Sequence, residues 1–277
     1  MVTSDTASPP SRFSYGGHIN ANGIRQHYLR YAGPGPALVL VPGITSPAPT
    51  WGFVAERLAQ HFDVYVLDVR GRGLSQSGAD LDYGVNACAD DVVEFVRALA
   101  LESPIYMGHS MGARILMRAV TRGLSKAAAM VLVDPPVSGP DRRPYPSKIA
   151  WYTESIAQAQ KGMSAEQMRL FCPTWNPEQL QLRAQWLHTC DIRAVTDSYE
   201  WFHTDDAFPD FSQLESWQVA LMVAGKGDVI RNEDIQEAQS LKPDLQILRV
   251  PGAGHMIPWD DEEDFYRVLG TFLSVTF

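Results

Sequence analysis

Gly108-His109-Ser110-Met111-Gly112 reads G-x-S-x-G. The serine follows a short apolar run, Ile105 to Met107, and precedes a helical pattern from Met111 to Arg122. That order fits a tight strand–turn–helix, which lifts a hydroxyl above the edge of a sheet. The glycines suit a turn where neighbouring backbones approach closely. The chemistry on offer is nucleophilic attack on an acyl carbon.

A serine hydroxyl is a poor nucleophile without a base. Of the seven histidines, His255 is the candidate, because Gly252-Ala253-Gly254-His255 lies straight after the last apolar run and before the final helix. That places it at the same sheet edge as Ser110. His18, His27 and His61 lie near the N-terminal strands, His109 inside the turn, and His188 and His203 in a helical stretch. Packing is the expectation for all six. The base needs an orienting carboxylate, and two aspartates fit the order Ser…Asp…His. Asp134 ends the run MVLV, and Asp228 follows VALMVA. Both remain open, since either could instead cap the amides of its own loop. A negative tetrahedral oxygen needs two backbone donors. The N–H of Met111 is one. The other is expected from Pro42 to Ser46, with Ile44 first and Thr45 next.

These residues must be carried by a scaffold. Ala37–Val41, Val64–Leu67, Ile105–Met107, Met130–Val133, Val219–Ala224 and Leu245–Val250 are short apolar runs, typical of strands buried on both faces. Helical spacing fills Trp51–Gln60, Val85–Leu99, Met111–Arg122 and the segment after Asp261. Ile24–Tyr31 alternates loosely and suggests a further strand. The alternation predicts an α/β fold, a mostly parallel central sheet with helices on both faces. Between 137 and 216 the rhythm breaks into helix-like segments without a buried strand, which predicts an inserted helical lid. The expected division is a flexible N-terminal tail over 1–18, a core over 19–136 and 217–277, and the lid over 137–216.

The chain has 277 residues, a net charge of −9 and 20% charged residues, an ordinary globular balance. The acidity argues against nucleic acid and anionic membranes as partners. A small anionic substrate stays possible, because one well-placed arginine dominates at short range. Three scattered cysteines, Cys88, Cys172 and Cys190, form no disulfide framework and suggest a reducing cytoplasm. No secretory pattern opens the chain, and no apolar run approaches membrane-spanning length. There is no P-loop, no dinucleotide fingerprint and no clustered metal-ligand set, so no cofactor and no metal are expected. Nothing in the sequence decides for or against a homo-oligomer.

The ordered set PGITS, DVRGRG, GHSMG, VLVDP, AGKGD and GAGH resembles the α/β-hydrolase superfamily over nearly the whole chain. The DVRGRG segment is similar to the family's D-x-R-G-x-G loop, and organising hydrogen bonds are expected there. Pro42 stands where many members have histidine, which leaves backbone donors untouched. Longer stretches, among them LVLVPGITSPAPTWGFVAERL and AGHMIPWDD, resemble the deformylase branch known from bacterial nicotinate degradation. That resemblance implies hydrolysis of N-formylmaleamate to maleamate and formate, without a metal. It also implies a triad of Ser110, His255 and Asp134, whereas the broader superfamily more often uses the position of Asp228. The implied substrate is a small-molecule carboxylate, so the lid should hold a cation for it. Arg142, Arg143, Lys148, Arg169, Arg183 and Arg193 are all candidates, and the sequence selects none. Trp151, Trp175, Trp186, Trp201 and Trp217 should mostly pack the lid, with one or two walling the pocket. A carboxylesterase, a carbon–carbon bond hydrolase of ring-cleavage products and a non-catalytic ligand-binding protein are the other readings.

Overall fold

The computed structural model describes residues 10–277. Eight strands form one sheet: β1 (Phe13–Ala21), β2 (Ile24–Tyr31), β3 (Ala37–Val41), β4 (Asp63–Leu67), β5 (Ile105–His109), β6 (Ala129–Val133), β7 (Val219–Ala224) and β8 (Gln246–Val250). Their spatial order is β1-β2-β4-β3-β5-β6-β7-β8. β2 is antiparallel to both β1 and β4, and all other pairs are parallel.

The apolar runs become central strands because both of their faces are covered. Val39, Val41, Tyr106 and Leu132 face α2 (Val85–Ala98) and α3 (Met111–Thr121). Leu38, Leu40, Met107 and Val131 face α1 (Gly52–Leu58) and α11 (Glu262–Leu273). Each fully buried Val or Leu contributes about 1.5–3 kcal/mol. The chain runs from β3 outward to β4 and then returns to the other side of β3 as β5. This is a topological switch point, where ligands bind beyond the carboxyl ends of the strands.

β1 corrects the expected tail over 1–18, since residues from Phe13 onward pair with β2. Residues 1–9 of that tail lie outside the described residues. β1 is mostly exposed and carries two glycines, so it lacks the apolar signature of the inner strands. Its signal is Asn22-Gly23, with φ of 49° and 73°, a hairpin turn that calls for positive φ at both residues.

Between β6 and β7 lie only helices: α4 (Ile149–Ala159), α5 (Ala165–Met168), α6 (Pro177–Trp186), α7 (Ile192–Thr204) and α8 (Phe208–Ser212), with one 3₁₀ turn. Ser164, Asn176 and Asp191 start α5, α6 and α7 by accepting from backbone N–H groups of the first turn. The insertion packs onto the core: Arg72 donates to the Ala194 carbonyl at 3.0 Å and to Ser198 Oγ at 2.8 Å. Helices α9 (Asn232–Leu241) and α10 (Ile257–Asp260) complete the chain. No helix among the described residues is long and apolar enough to cross a membrane.

Candidate active site

Ser110 sits between β5 and α3 with φ 55° and ψ −118°. That region is sparsely populated for non-glycine residues and is held only where the surroundings over-determine it. Here Ser110 N–H donates to the Val133 carbonyl at 2.8 Å, prolonging the β5–β6 ladder. A Cβ on Gly108 would meet Ala113 N at 2.6 Å, and one on Gly112 would meet the Val41 carbonyl oxygen at 1.9 Å. Gly108 lets α3 start tight against β5, and Gly112 lets α3 lie directly against β3.

Ser110 Oγ lies 3.0 Å from His255 Nε2, and His255 Nδ1 lies 2.7 Å from Asp134 Oδ2. A carboxylate can only accept, so Nδ1 carries the proton and Nε2 of the neutral ring accepts from the serine. Asp134 is buried, and its other oxygen accepts from Ala224 N–H at 3.3 Å. Asp228 is elsewhere: its exposed carboxylate pairs with Arg231 at 2.7 Å.

His109 lines the same cavity as Ser110 and donates through Nε2 to the His255 backbone carbonyl at 3.0 Å. Burial lowers its pKa to about 3, helped by repulsion from His255, so it stays neutral. Gly43 makes room for it, since a Cβ there would meet His109 Nδ1 at 3.0 Å.

The loop after β3 is fixed from several sides. The Gly43 carbonyl accepts from Ser46 N–H at 3.2 Å. In a trans peptide the N–H opposes the carbonyl, so the Ile44 N–H is turned away from that contact. The Ile44 carbonyl accepts from Arg72 Nε at 3.0 Å, and Ala48 N–H donates to Asp68 at 2.6 Å. Asp68 also meets His27 Nδ1 at 2.6 Å. The DVRGRG segment thus braces the loop that presents Ile44. Neither Ile44 N–H nor Met111 N–H donates to any group among the described residues.

Tyr145 escaped the reading of the sequence. Its hydroxyl lies 3.2 Å from His255 Nε2 and accepts from Tyr152 at 3.4 Å. Its backbone N–H donates to His203 Nε2 at 3.2 Å, so this histidine of the insertion holds the segment. Burial raises the phenol well above its ordinary pKa, which keeps it neutral. The available signal was Pro144-Tyr145-Pro146, a conformationally restricted segment carrying an aromatic with a polar tip.

These groups open onto a cavity of about 510 Å³. Ser110, His255 and Ile44 form its base, and Trp151, Phe171 and Trp175 wall it from the insertion. Trp201 and Trp217 are buried in the core cluster instead. Arg142, Arg143, Arg169 and Arg193 each pair with a carboxylate away from the cavity, and Lys148 is exposed at its rim. Arg183 is buried and lines the cavity.

Residues 38–268 match the model of the alpha/beta hydrolase family. An N-formylmaleamate deformylase of Pseudomonas putida is 58% identical over 264 residues, covering 95% of this chain and 98% of that protein. The crystal structure of the N-formylmaleamic acid deformylase from Pseudomonas putida S16 superposes with a TM-score of 0.88 at 53% identity, covering 92% of this chain and 100% of that one. The crystal structure of E-2-(acetamidomethylene)succinate hydrolase shares the fold, with a TM-score of 0.76 at 21% identity over 95% of this chain and 100% of that one.

Proposed function

The chain belongs to the alpha/beta hydrolase family, and we propose that it hydrolyses N-formylmaleamate to maleamate and formate, with Ser110 as nucleophile. The observation that carries this reading is the near full-length identity to the Pseudomonas putida deformylase. The contacts from Ser110 through His255 to Asp134 support the same chemistry.

In this mechanism Ser110 Oγ attacks the formyl carbon while His255 Nε2 takes the hydroxyl proton. The N–H groups of Met111 and Ile44 receive the negative oxygen. Asp134 holds the imidazole in the reactive tautomer and stabilises its positive charge. The C–N bond then breaks, and His255 gives the proton to the departing nitrogen. That nitrogen lies between two carbonyls, which spread its charge and make it a better leaving group than a simple amide nitrogen. Water, deprotonated by His255, attacks the formyl ester, and formate leaves with Ser110 restored. Tyr145 is a positioning residue: its phenol faces the imidazole edge that Ser110 must use.

The role in nicotinate catabolism follows from the substrate. The three free, buried cysteines favour a cytoplasmic setting. A panel of N-formylmaleamate, simple carboxylic esters and a dienone ring-cleavage product tests the reading. Preferential release of formate and maleamate in equal amounts is expected. Preference for the ester or the dienone would overturn it.

A further inference from the structure

Arg183 differs from the other insertion cations. It is 4% exposed, yet no carboxylate among the described residues lies within ion-pair distance of it. Its Nη1 donates to the Thr45 carbonyl and its Nη2 to Thr45 Oγ1, both at 3.1 Å. Its Nε is buried with no partner. The guanidinium lies near Trp151 and Trp175, 5.4 and 5.6 Å from their ring centroids. All three residues line the cavity that holds Ser110.

A buried charge without a counter-charge is costly, and the cost is removed when an anion arrives. Arg72 is also buried without a carboxylate, but its Nε and both terminal nitrogens donate to backbone carbonyls. Arg183 keeps an N–H without a partner and lines a ligand-sized cavity. The neighbouring Cys172 thiol is held neutral by burial, so it supplies no counter-charge. Asp260, the carboxyl on the cavity wall, accepts from Gly254 N–H and makes no ion pair with Arg183.

We propose that Arg183 receives a carboxylate on the leaving-group side of the substrate and so selects anionic amides. This rests on the deformylase reading: a formyl group is so small that the rest of the cavity must accommodate the departing amide. Thr45, which Arg183 grips, directly follows Ile44 in the chain. One residue therefore ties recognition of the anion to the loop that receives the negative oxygen. The flanking indoles exclude water and strengthen the charge–charge attraction.

The test compares kcat/KM for N-formylmaleamate and for neutral 4-nitrophenyl acetate in the wild type, Arg183→Met and Arg183→Lys. It also measures inhibition of ester hydrolysis by maleamate. Methionine keeps length and apolar bulk. Loss of a buried charged hydrogen bond should lower kcat/KM for the anionic amide about 100-fold more than for the ester. Inhibition by maleamate should weaken in parallel, with lysine intermediate. Equal losses on both substrates would assign Arg183 a purely structural role and overturn the proposal, as would unchanged inhibition. A wild type that is inhibited by maleamate through Arg183 but releases no formate would sink the deformylase reading and leave the anion site standing.

Discussion

His109 holds His255 by its main chain. His109 donates through Nε2 to the His255 carbonyl, 3.0 Å away, and so joins the turn that carries Ser110 to the loop after β8. Burial, helped by repulsion from His255, depresses this group's pKa from its ordinary value of 6.5 to about 3, against the pull of that bond, which favours the charged ring. A depressed histidine favours the unfolded state as pH falls, because the unfolded chain takes up a proton that the native one refuses. Between about pH 6 and 4 this one group should cost about 1.4 kcal/mol of stability per pH unit. His109→Gln retains a donor but cannot titrate. Denaturant unfolding across that range should show a shallower pH dependence by roughly one proton. Identical slopes in both proteins would contradict the assignment.

Asp134 and Asp228 separate cleanly by substitution. Asp134→Asn should lower kcat about 10⁴-fold, because the amide presents the wrong partner to His255 Nδ1. Asp228→Asn breaks only an exposed ion pair with Arg231 and should leave steady-state rates within a few-fold. A larger loss in the second variant would reverse the assignment of the acid.

Tyr145→Phe removes a hydroxyl 3.2 Å from His255 Nε2. Its loss should lower kcat about 10-fold with little change in KM or Tm, because the imidazole is less firmly placed. An unchanged kcat would mean the phenol does not position the imidazole.

Gly112→Ala would push a methyl group onto the Val41 carbonyl. Helix α3 and strand β3 must then part, at a cost of about 1–3 kcal/mol or more. Thermal melting should show a lower Tm, and activity should fall with it because Met111 rides on the same helix. An unchanged Tm would show that α3 can move freely at this point.

The central strands could be read because burial on both faces leaves an uninterrupted apolar run, as in Ala37–Val41 and Val219–Ala224. β1 could not, because it is mostly exposed and its pairing is a backbone property. Ser110 and His255 stand in local patterns and lie 3.0 Å apart. Asp134 and Asp228 had equal claims on local grounds, since each follows a parallel strand. Only the distance to His255 distinguishes them. Tyr145 and Arg183 were illegible for the same reason: their special character comes from partners distant in the chain. Arg183 looks like its neighbours until their carboxylates are placed around them.

Ser110-dependent deformylation is tested most directly by formate release from N-formylmaleamate with the wild type and Ser110→Ala side by side. The wild type should release formate and maleamate one for one. The variant should keep its melting temperature and lose about 10⁶-fold in turnover. A Ser110→Ala protein that still releases formate at the wild-type rate would contradict the account.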